Sequence, residues 1–195
     1  MGLPDPTDVA AYDELERRRI GGPRPLTGPI ELHEYDPRWP ERYAQHAARL
    51  RAALGERAVR VEHVGSTSVP GLAAKPIIDI ALEVPDSAHE PAYTGDLESA
   101  GYQLEFREPD WFGHRLFHTP GRDVNLHVFS AGCPETDRMV RFRDWLRTNE
   151  ADRDLYLHTK RDLAARDWKY VQQYADAKTK VIEQIMVRAT AAESV

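Results

Sequence analysis

The segment from Val61 to Val84 limits what this chain can fold into more than any other. It opens with Val61-Glu62-His63-Val64, continues through Gly65-Ser66-Thr67-Ser68-Val69-Pro70-Gly71, and closes with Pro76-Ile77-Ile78-Asp79-Ile80-Ala81-Leu82-Glu83-Val84. Period-two, β-branched runs on either side of a Gly/Ser/Pro cluster read as a strand, a tight loop and a second strand. Side chains alternate along a strand, so Asp79 lies on the face opposite Ile78, Ile80 and Leu82. Gly65 and Ser66 let a phosphate approach the backbone closely, and the hydroxyls of Ser66, Thr67 and Ser68 can donate to its oxygens. A carboxylate on the second strand can then hold Mg²⁺ against those phosphates. The competing reading is a loop whose hydroxyls bond their own backbone, with Asp79 solvated at a sheet edge.

The rest of the chain supplies partners for this unit. Val59–Val64, Pro76–Val84, Tyr102–Arg107, His114–Thr119 and Val124–Ser130 are short, β-branched or aromatic, and bounded by turn residues, which predicts one sheet. Ile30–Tyr35 is a further predicted strand. Trp39, Tyr43, His46, Leu50 and Leu54 follow Asp36-Pro37 at helical spacing, which predicts a helix with Asp36 as N-cap and Pro37 in the first turn. A helix fits between Ser87 and Ala100, closed by Gly101. From Pro134 to Ala192 the pattern is helical in two or three pieces, with Tyr170, Tyr174, Ala177, Val181 and Ile185 in phase. The predicted class is α+β: a mixed β-sheet flanked by helices, with a helical C-terminal layer. Residues 1–29, a short helical pattern from Thr7 to Arg19 followed by Gly21-Gly22-Pro23-Arg24-Pro25, are the predicted N-terminal arm. Residues 30–192 form the predicted domain, with its C-terminal helices starting near 134.

Composition narrows the function classes. A chain of 195 residues can bury a core without disulfides or a structural metal. Its formal charge of −6, from 26 basic and 32 acidic residues, argues against bulk binding of duplex nucleic acid, which needs a basic face, but leaves room for a local phosphate pocket. Apolar runs such as Ile77-Ile78 are broken by charge far short of a membrane span. Cys133 has no internal disulfide partner, and Met1 to Ala10 lacks the basic start and apolar stretch of a signal peptide. A cytoplasmic location is therefore expected.

The run Glu62-His63-Val64-Gly65-Ser66-Thr67-Ser68-Val69-Pro70-Gly71, followed by Ala74-Lys75-Pro76-Ile77-Ile78-Asp79-Ile80, resembles the signature of the GrpB-like family, also found fused to dephospho-coenzyme A kinase. The likeness extends from about Ile30 to Ile185. It implies the fold of the DNA polymerase β-like nucleotidyltransferases, in which a Gly-Ser pair grips the triphosphate and an Asp-x-Asp/Glu strand binds metal. By that resemblance Gly65 and Ser66 hold phosphate, Asp79 holds Mg²⁺ or Mn²⁺, a nucleotide is the expected ligand, and coenzyme A enzymes are possible partners. The sequence departs from the pattern at Ala81, where an active nucleotidyltransferase carries its second metal carboxylate. Two-metal displacement needs several oxygens around ions roughly 4 Å apart. Glu83 lies on the same strand face but roughly 7 Å further along. Asn125 and His127 alternate inward on the strand that usually brings the third carboxylate.

Other residues carry chemistry by type. His63, His114, His118 and His127 fall on predicted strands, and His63 or His114 could converge with His127 and Asp79 as ligands for Zn²⁺, Mn²⁺ or Fe²⁺; the alternative is that they tie strands together by hydrogen bonds. Arg115 could take a phosphate in bidentate fashion or pair with Asp110, and Arg122 reads as a surface arginine beside Asp123. Trp111 and Phe112 could stack a base or cover the core edge. Tyr156/Lys160 and Tyr174/Lys178 are Tyr-x₃-Lys pairs, each on one helix face, and either lysine could close over phosphates bound at Ser66, as could Lys75. No Gly-x₄-Gly-Lys-Ser/Thr loop, Gly-x-Ser-x-Gly elbow or Cys-x-x-Cys pair competes. The expected function is binding of a nucleotide or phosphorylated small molecule, with transfer of a nucleoside monophosphate to a small acceptor. The alternatives are a module that kept the pocket and lost catalysis, and a metal-dependent enzyme using His127 or His63 as general base.

Overall fold

A computed structural model describes residues 4–193 of the chain, so the first residues of the predicted arm lie outside it. Its strands are β1 (Arg60–Val64), β2 (Ile78–Val84), β3 (Gln103–Glu108), β4 (His114–His118) and β5 (Val124–Ser130). They form a single five-stranded sheet in the order β1-β2-β5-β4-β3. β2 is antiparallel to β1 and parallel to β5, while β5–β4 and β4–β3 are antiparallel, so the sheet is mixed. Parallel neighbours need a crossover, and the chain between β2 and β5 supplies it with a helix and the β3–β4 hairpin. The helices are α1 (Val9–Arg17), α2 (Trp39–Leu54), α3 (Thr94–Ser99), α4 (Pro134–Thr148), α5 (Glu150–Ala164), α6 (Val171–Asp176) and α7 (Thr179–Glu193).

The two sheet faces are chemically distinct because the strand period is two. Ile78, Ile80, Leu82 and Val84 share one face with Val124, Leu126 and Val128, and pack on Trp39, Leu50 and Leu54 of α2 and Leu97 of α3 to form the main core. The other face carries Asp79, Ala81 and Glu83 of β2 beside Asn125, His127 and Phe129 of β5. A second core joins the loop residues Val69 and Leu72 to Leu146 of α4, Tyr156 of α5 and Val181 and Ile185 of α7. The C-terminal helices thus dock on the loop between β1 and β2, next to the polar face.

The structure corrects several boundaries. Ile30–Tyr35 forms no strand of the sheet: it makes an isolated bridge between His33 and Ala74, and Ile30 instead packs with Leu163 and Tyr174. Arg38, not Asp36, occupies the N-cap of α2; Asp36 accepts from the Arg38 backbone N–H at 2.9 Å, and Pro40 rather than Pro37 stands in the first turn. The segment from Ser87 to Ala100 divides into a 3₁₀ turn, Glu90–Ala92, which contains Pro91, and the short α3. Gly101 follows α3 at φ 90°. The tail holds α4, α5, α6 and α7 rather than two or three pieces; Asn149 separates α4 from α5 and caps α5 by accepting from Asp152 N at 2.9 Å.

The N-terminal segment is docked. Tyr12 of α1 is fully buried and donates to Asp176 Oδ2 at 2.7 Å. Arg19 is buried between Glu16, at 2.7 Å, and Glu105 of β3. Among the described residues no helix is long and apolar enough to cross a membrane. Ile80 is fully buried at the centre of the sheet, so Ile80→Ala should cost about 2–5 kcal/mol in urea unfolding. Val187→Ala, at a side chain 71% exposed, should shift stability by no more than about 0.5 kcal/mol.

Candidate functional site

The Gly65 turn and Asp79 are built against each other. Val64 pairs with Asp79 across β1 and β2, so the chain leaves β1 directly beside the carboxylate. Gly65 turns away at φ 69°, and a Cβ placed there would meet Asp79 Oδ2 at 2.3 Å. Only glycine fits, both for its backbone and for its space. Asn125 donates its amide to Asp79 Oδ1 at 2.9 Å from the parallel strand. His127 Nε2 lies 3.8 Å from the same oxygen, too long for a hydrogen bond, so that contact is electrostatic. Burial pushes the Asp79 carboxyl upward, but His127, Asn125 and Lys75 more than offset it and hold it below its ordinary value. Its side chain keeps 28% of its surface exposed, which limits the desolvation.

Lysines and tyrosines from the C-terminal helices close over this pair. Lys160 of α5, 2% exposed, donates to Ser66 Oγ at 3.2 Å and to the Ala73 carbonyl, and lies 5.0 Å from the Tyr156 ring centre. Lys75 and Lys178 sit 5.8 and 4.5 Å from the centre of the Tyr174 ring. Burial, with repulsion from Lys178, depresses Lys160 to about 7 and Lys75 to about 8; burial likewise depresses Lys178 to about 8, against the attraction of Asp79. Burial pushes the Tyr156 hydroxyl up to about 12. The structure therefore brings together Gly65, Ser66, Lys75, Asp79, His127, Lys160, Tyr174 and Lys178.

Other predicted site residues fall elsewhere. Thr67 and Ser68 are buried, and their hydroxyls donate to the Ile77 carbonyl at 3.2 Å and the Gly65 carbonyl at 2.5 Å, so they hold the loop and leave Ser66 as its one hydroxyl toward the lysines. His63 pairs with Ile80 and so projects to the face opposite Asp79. There it stacks on Tyr43 at 4.7 Å and bonds Thr67 Oγ1 at 3.1 Å, and burial lowers it to about 4; its place on the far face from Asp79 sets it apart from the expected metal set. Arg115 is buried and donates to Glu90 at 2.7 Å and the Gly113 carbonyl at 2.8 Å; Glu90, not Asp110, is its partner, and it is not poised for a phosphate. Arg122 donates to Glu105 at 2.8 Å.

A two-ion metal centre does not fit these side chains. Ala81 is fully buried and offers no oxygen. Glu83, one strand repeat beyond it, is 3% exposed and turned to the end of β5, where its Oε2 accepts from Gly132 N at 3.0 Å. Glu62, the partner of Ala81 on β1, is held by Arg143 at 2.8 Å. Among the described residues no group of three His, Cys, Asp or Glu could hold an ion. Behind His127, His114 Nε2 lies 3.1 Å from His127 Nδ1, and His114 Nδ1 lies 2.7 Å from Glu108. Sequence reasoning missed the loop's clamp from α4: Arg147 donates to the Ser68 carbonyl at 2.9 Å and Arg143 to the His63 carbonyl at 2.9 Å. The two arginines lie 79 and 80 residues along the chain from the carbonyls they hold, so no local pattern links them to the loop.

Fold and site together define an α+β protein with a half-buried polar cluster built from a Gly-Ser turn, a strand aspartate and lysines of the loop and the C-terminal helices; cavities among the described residues lie elsewhere, one beside Arg57 and Tyr93 and one beside Pro29 and Trp168. The chain belongs to the GrpB family: the family described as GrpB protein matches residues 29–188. It is 57% identical over 179 residues to a UPF0157 protein of Halalkalibacterium halodurans, covering 92% of each chain. It is 50% identical to a UPF0157 protein of Streptomyces coelicolor, over 89% of this chain and 90% of that one. The crystal structure of conserved protein GrpB from Enterococcus faecalis superposes with a TM-score of 0.72 at 31% identity, covering 85% of this chain and 100% of that one. A dephospho-CoA kinase of Mycolicibacterium paratuberculosis is 32% identical over 77% of this chain, a stretch that makes up 43% of that protein.

Gly65→Ala should destabilise the protein, because the added methyl meets Asp79 at a backbone angle that favours glycine. A thermal-unfolding cycle with Asp79→Ala should recover part of the loss; simple additivity of the two changes would refute the contact. The lysines give a pH signature. A folded-state value near 7 for Lys160, against 10.5 ordinarily, means the unfolded chain binds more protons between them, so stability rises with pH across this window. Urea titrations from about pH 7 to 9.5 should show that rise, with a smaller slope in Lys160→Met because Lys75 and Lys178 act with the same sign.

Proposed function

We propose that this protein binds a nucleotide or another phosphorylated small molecule at Gly65 and Ser66, on a scaffold of the nucleotidyltransferase type. One observation carries the reading. Lys75, Lys160 and Lys178 converge on a face where two carboxylates oppose them, Asp79 beside Lys75 and Lys178, and Asp176, already bonded to Tyr12, beside Lys178. An ammonium has three donors, and Lys160 directs two of them to Ser66 and Ala73. One buried and two half-buried ammonium groups gathered in this way favour an anionic ligand, and phosphate oxygens suit both ammonium and hydroxyl donors. An ion such as Mg²⁺ or Mn²⁺ at Asp79 would depend on the ligand's own oxygens for most of its shell. The dephospho-CoA kinase relatives support a phosphorylated small molecule as partner, and a link to coenzyme A enzymes is part of the proposal.

Transfer of a nucleoside monophosphate is the finer reading. With Ala81 in place of a second metal carboxylate, the standard two-Mg²⁺ route should be slow or absent while binding survives. Calorimetry with ATP and with inorganic triphosphate tests the binding. Ser66→Ala and Lys160→Met should each weaken both ligands by about tenfold, the scale of one charge-assisted hydrogen bond. Affinity should also fall as pH rises from about 7 to 9, because an anion favours the protonated lysines and its binding draws in protons. Unchanged affinity in both variants would refute the phosphate site. Pyrophosphate release by wild type with Mg²⁺, abolished in Asp79→Ala, would restore the transferase.

A further inference from the structure

The tip of the β3–β4 hairpin is not accounted for by a phosphate site. Trp111 and Phe112 stand there 37% and 49% exposed. Trp111 is nonetheless fixed, because its ring meets Phe112, His114 and Phe129 edge-on at centroid distances of 6.2, 4.8 and 5.8 Å. Phe129 and His127 alternate with Val128 on β5 and so share the face of Asp79. The His114 ring lies 5.2 Å from that of His127 at an interplanar angle of 25°, and His127 stands beside Asp79. The two aromatic rings therefore border the sheet face that carries Asp79, near the Glu83–Phe129 pair, with two stacked imidazoles between them and the carboxylate.

Packing alone does not explain how the tip is held. Phe112 has φ 52°, a left-handed conformation that a bulky residue rarely adopts and that costs of order 1–3 kcal/mol. Half exposed, its ring buries too little surface to offset that strain fully. Buried side chains fix the backbone from the opposite face. Arg115 Nη1 and Ser87 Oγ both donate to the Gly113 carbonyl at 2.8 Å, and Arg115 is itself held by Glu90. His114 N donates to the Trp111 carbonyl at 3.0 Å. A guanidinium and a hydroxyl thus converge on one carbonyl, and two rings are kept in place in solvent. Rigid, part-exposed aromatics on the sheet face that carries Asp79 have the form of a stacking platform, which accepts any planar base through its π face.

We propose that Trp111 and Phe112 form a subsite for the planar base of a nucleotide whose phosphates lie at Gly65, Ser66 and Lys160. The inference rests on the phosphate reading and deepens it: the ligand is a nucleotide, not a simple phosphorylated metabolite. Arg115 acts on this subsite as a positioning residue, through the Gly113 carbonyl, and does not touch the ligand.

Calorimetry on the full chain compares ATP, GTP, CTP and UTP, each against inorganic triphosphate. Wild type should bind at least one nucleotide about tenfold more tightly than triphosphate, the scale of one stacked base. Phe112→Gly removes one ring while keeping the left-handed backbone that glycine adopts freely, and it should reduce this preference severalfold. Trp111→Ala should nearly abolish it. Affinity for inorganic triphosphate should be unchanged in both variants, which also reports that the phosphate site remains folded. Equal affinity of wild type for triphosphate and all four nucleotides would overturn the base subsite and leave the phosphate site standing. A preference undiminished in both variants would overturn it as well. Failure of every one of these ligands to bind wild type would overturn the phosphate reading and this inference together.

Discussion

The buried ammonium of Lys160 ties the halves of this structure together. Burying a lysine costs several kcal/mol unless its donors are met, and here they are met by the loop, through Ser66 Oγ and the Ala73 carbonyl. Those bonds join α5 to the connection between β1 and β2, so the helical layer and the sheet are held in register at one polar point. The apolar contacts around it, Val69 and Leu72 against Leu146, Tyr156 and Ile185, supply the burial that keeps this point dry. The same desolvation depresses the three lysines, which links the stability of the layer to the chemistry of the cluster.

What the sequence revealed depended on the range of each signal. Alternation along β2 placed Ile78, Ile80 and Leu82 on one face and Asp79 on the other, because strand period is local and needs no knowledge of neighbours. The Tyr-x₃-Lys spacing placed Tyr156 with Lys160, and Tyr174 with Lys178, for the same reason, and in both pairs the ammonium lies against the ring. Register was not legible. His63 looked like a companion of Asp79, but its pairing with Ile80 puts it on the opposite face, against Tyr43 of α2. Hydroxyl use was not legible either: Ser66, Thr67 and Ser68 read alike in sequence, yet the 3₁₀ turn directs two of them back to the backbone. The predicted strand at Ile30 failed because burial against Leu163 and Tyr174 outweighed pairing.

Arg115 shows a second limit. A lone arginine beside aromatics suggests an anion site when only composition is visible, but its surroundings decide whether it is available. With Glu90 and the Gly113 carbonyl as partners, this guanidinium is committed to the hairpin. The N-terminal segment makes the same point on a larger scale. Its Gly/Pro stretch read as part of an N-terminal arm, and the contacts of that arm were not visible in sequence: fully buried Tyr12 and the Arg19–Glu105 pair fasten it to α6 and β3.

Ala81 separates two ways of stabilising a strand carboxylate. Where a second aspartate stands two residues on, the two anions repel and a cation is needed to hold both. Here that position is a buried methyl, and Asp79 is surrounded instead by the Asn125 amide donor, the His127 imidazole and the Lys75 ammonium. These groups keep it anionic without an ion, and the amide occupies an oxygen that a metal would otherwise use. Asp176 adds a second carboxylate near Lys178, so Lys75, Lys160 and Lys178 face Asp79 and Asp176 in this part of the structure. The lysines reach this point from different elements: Lys160 is anchored in α5 by the Ala73 carbonyl and Lys178 lies against the Tyr174 ring, so neither placement depends on which side chain stands at position 81.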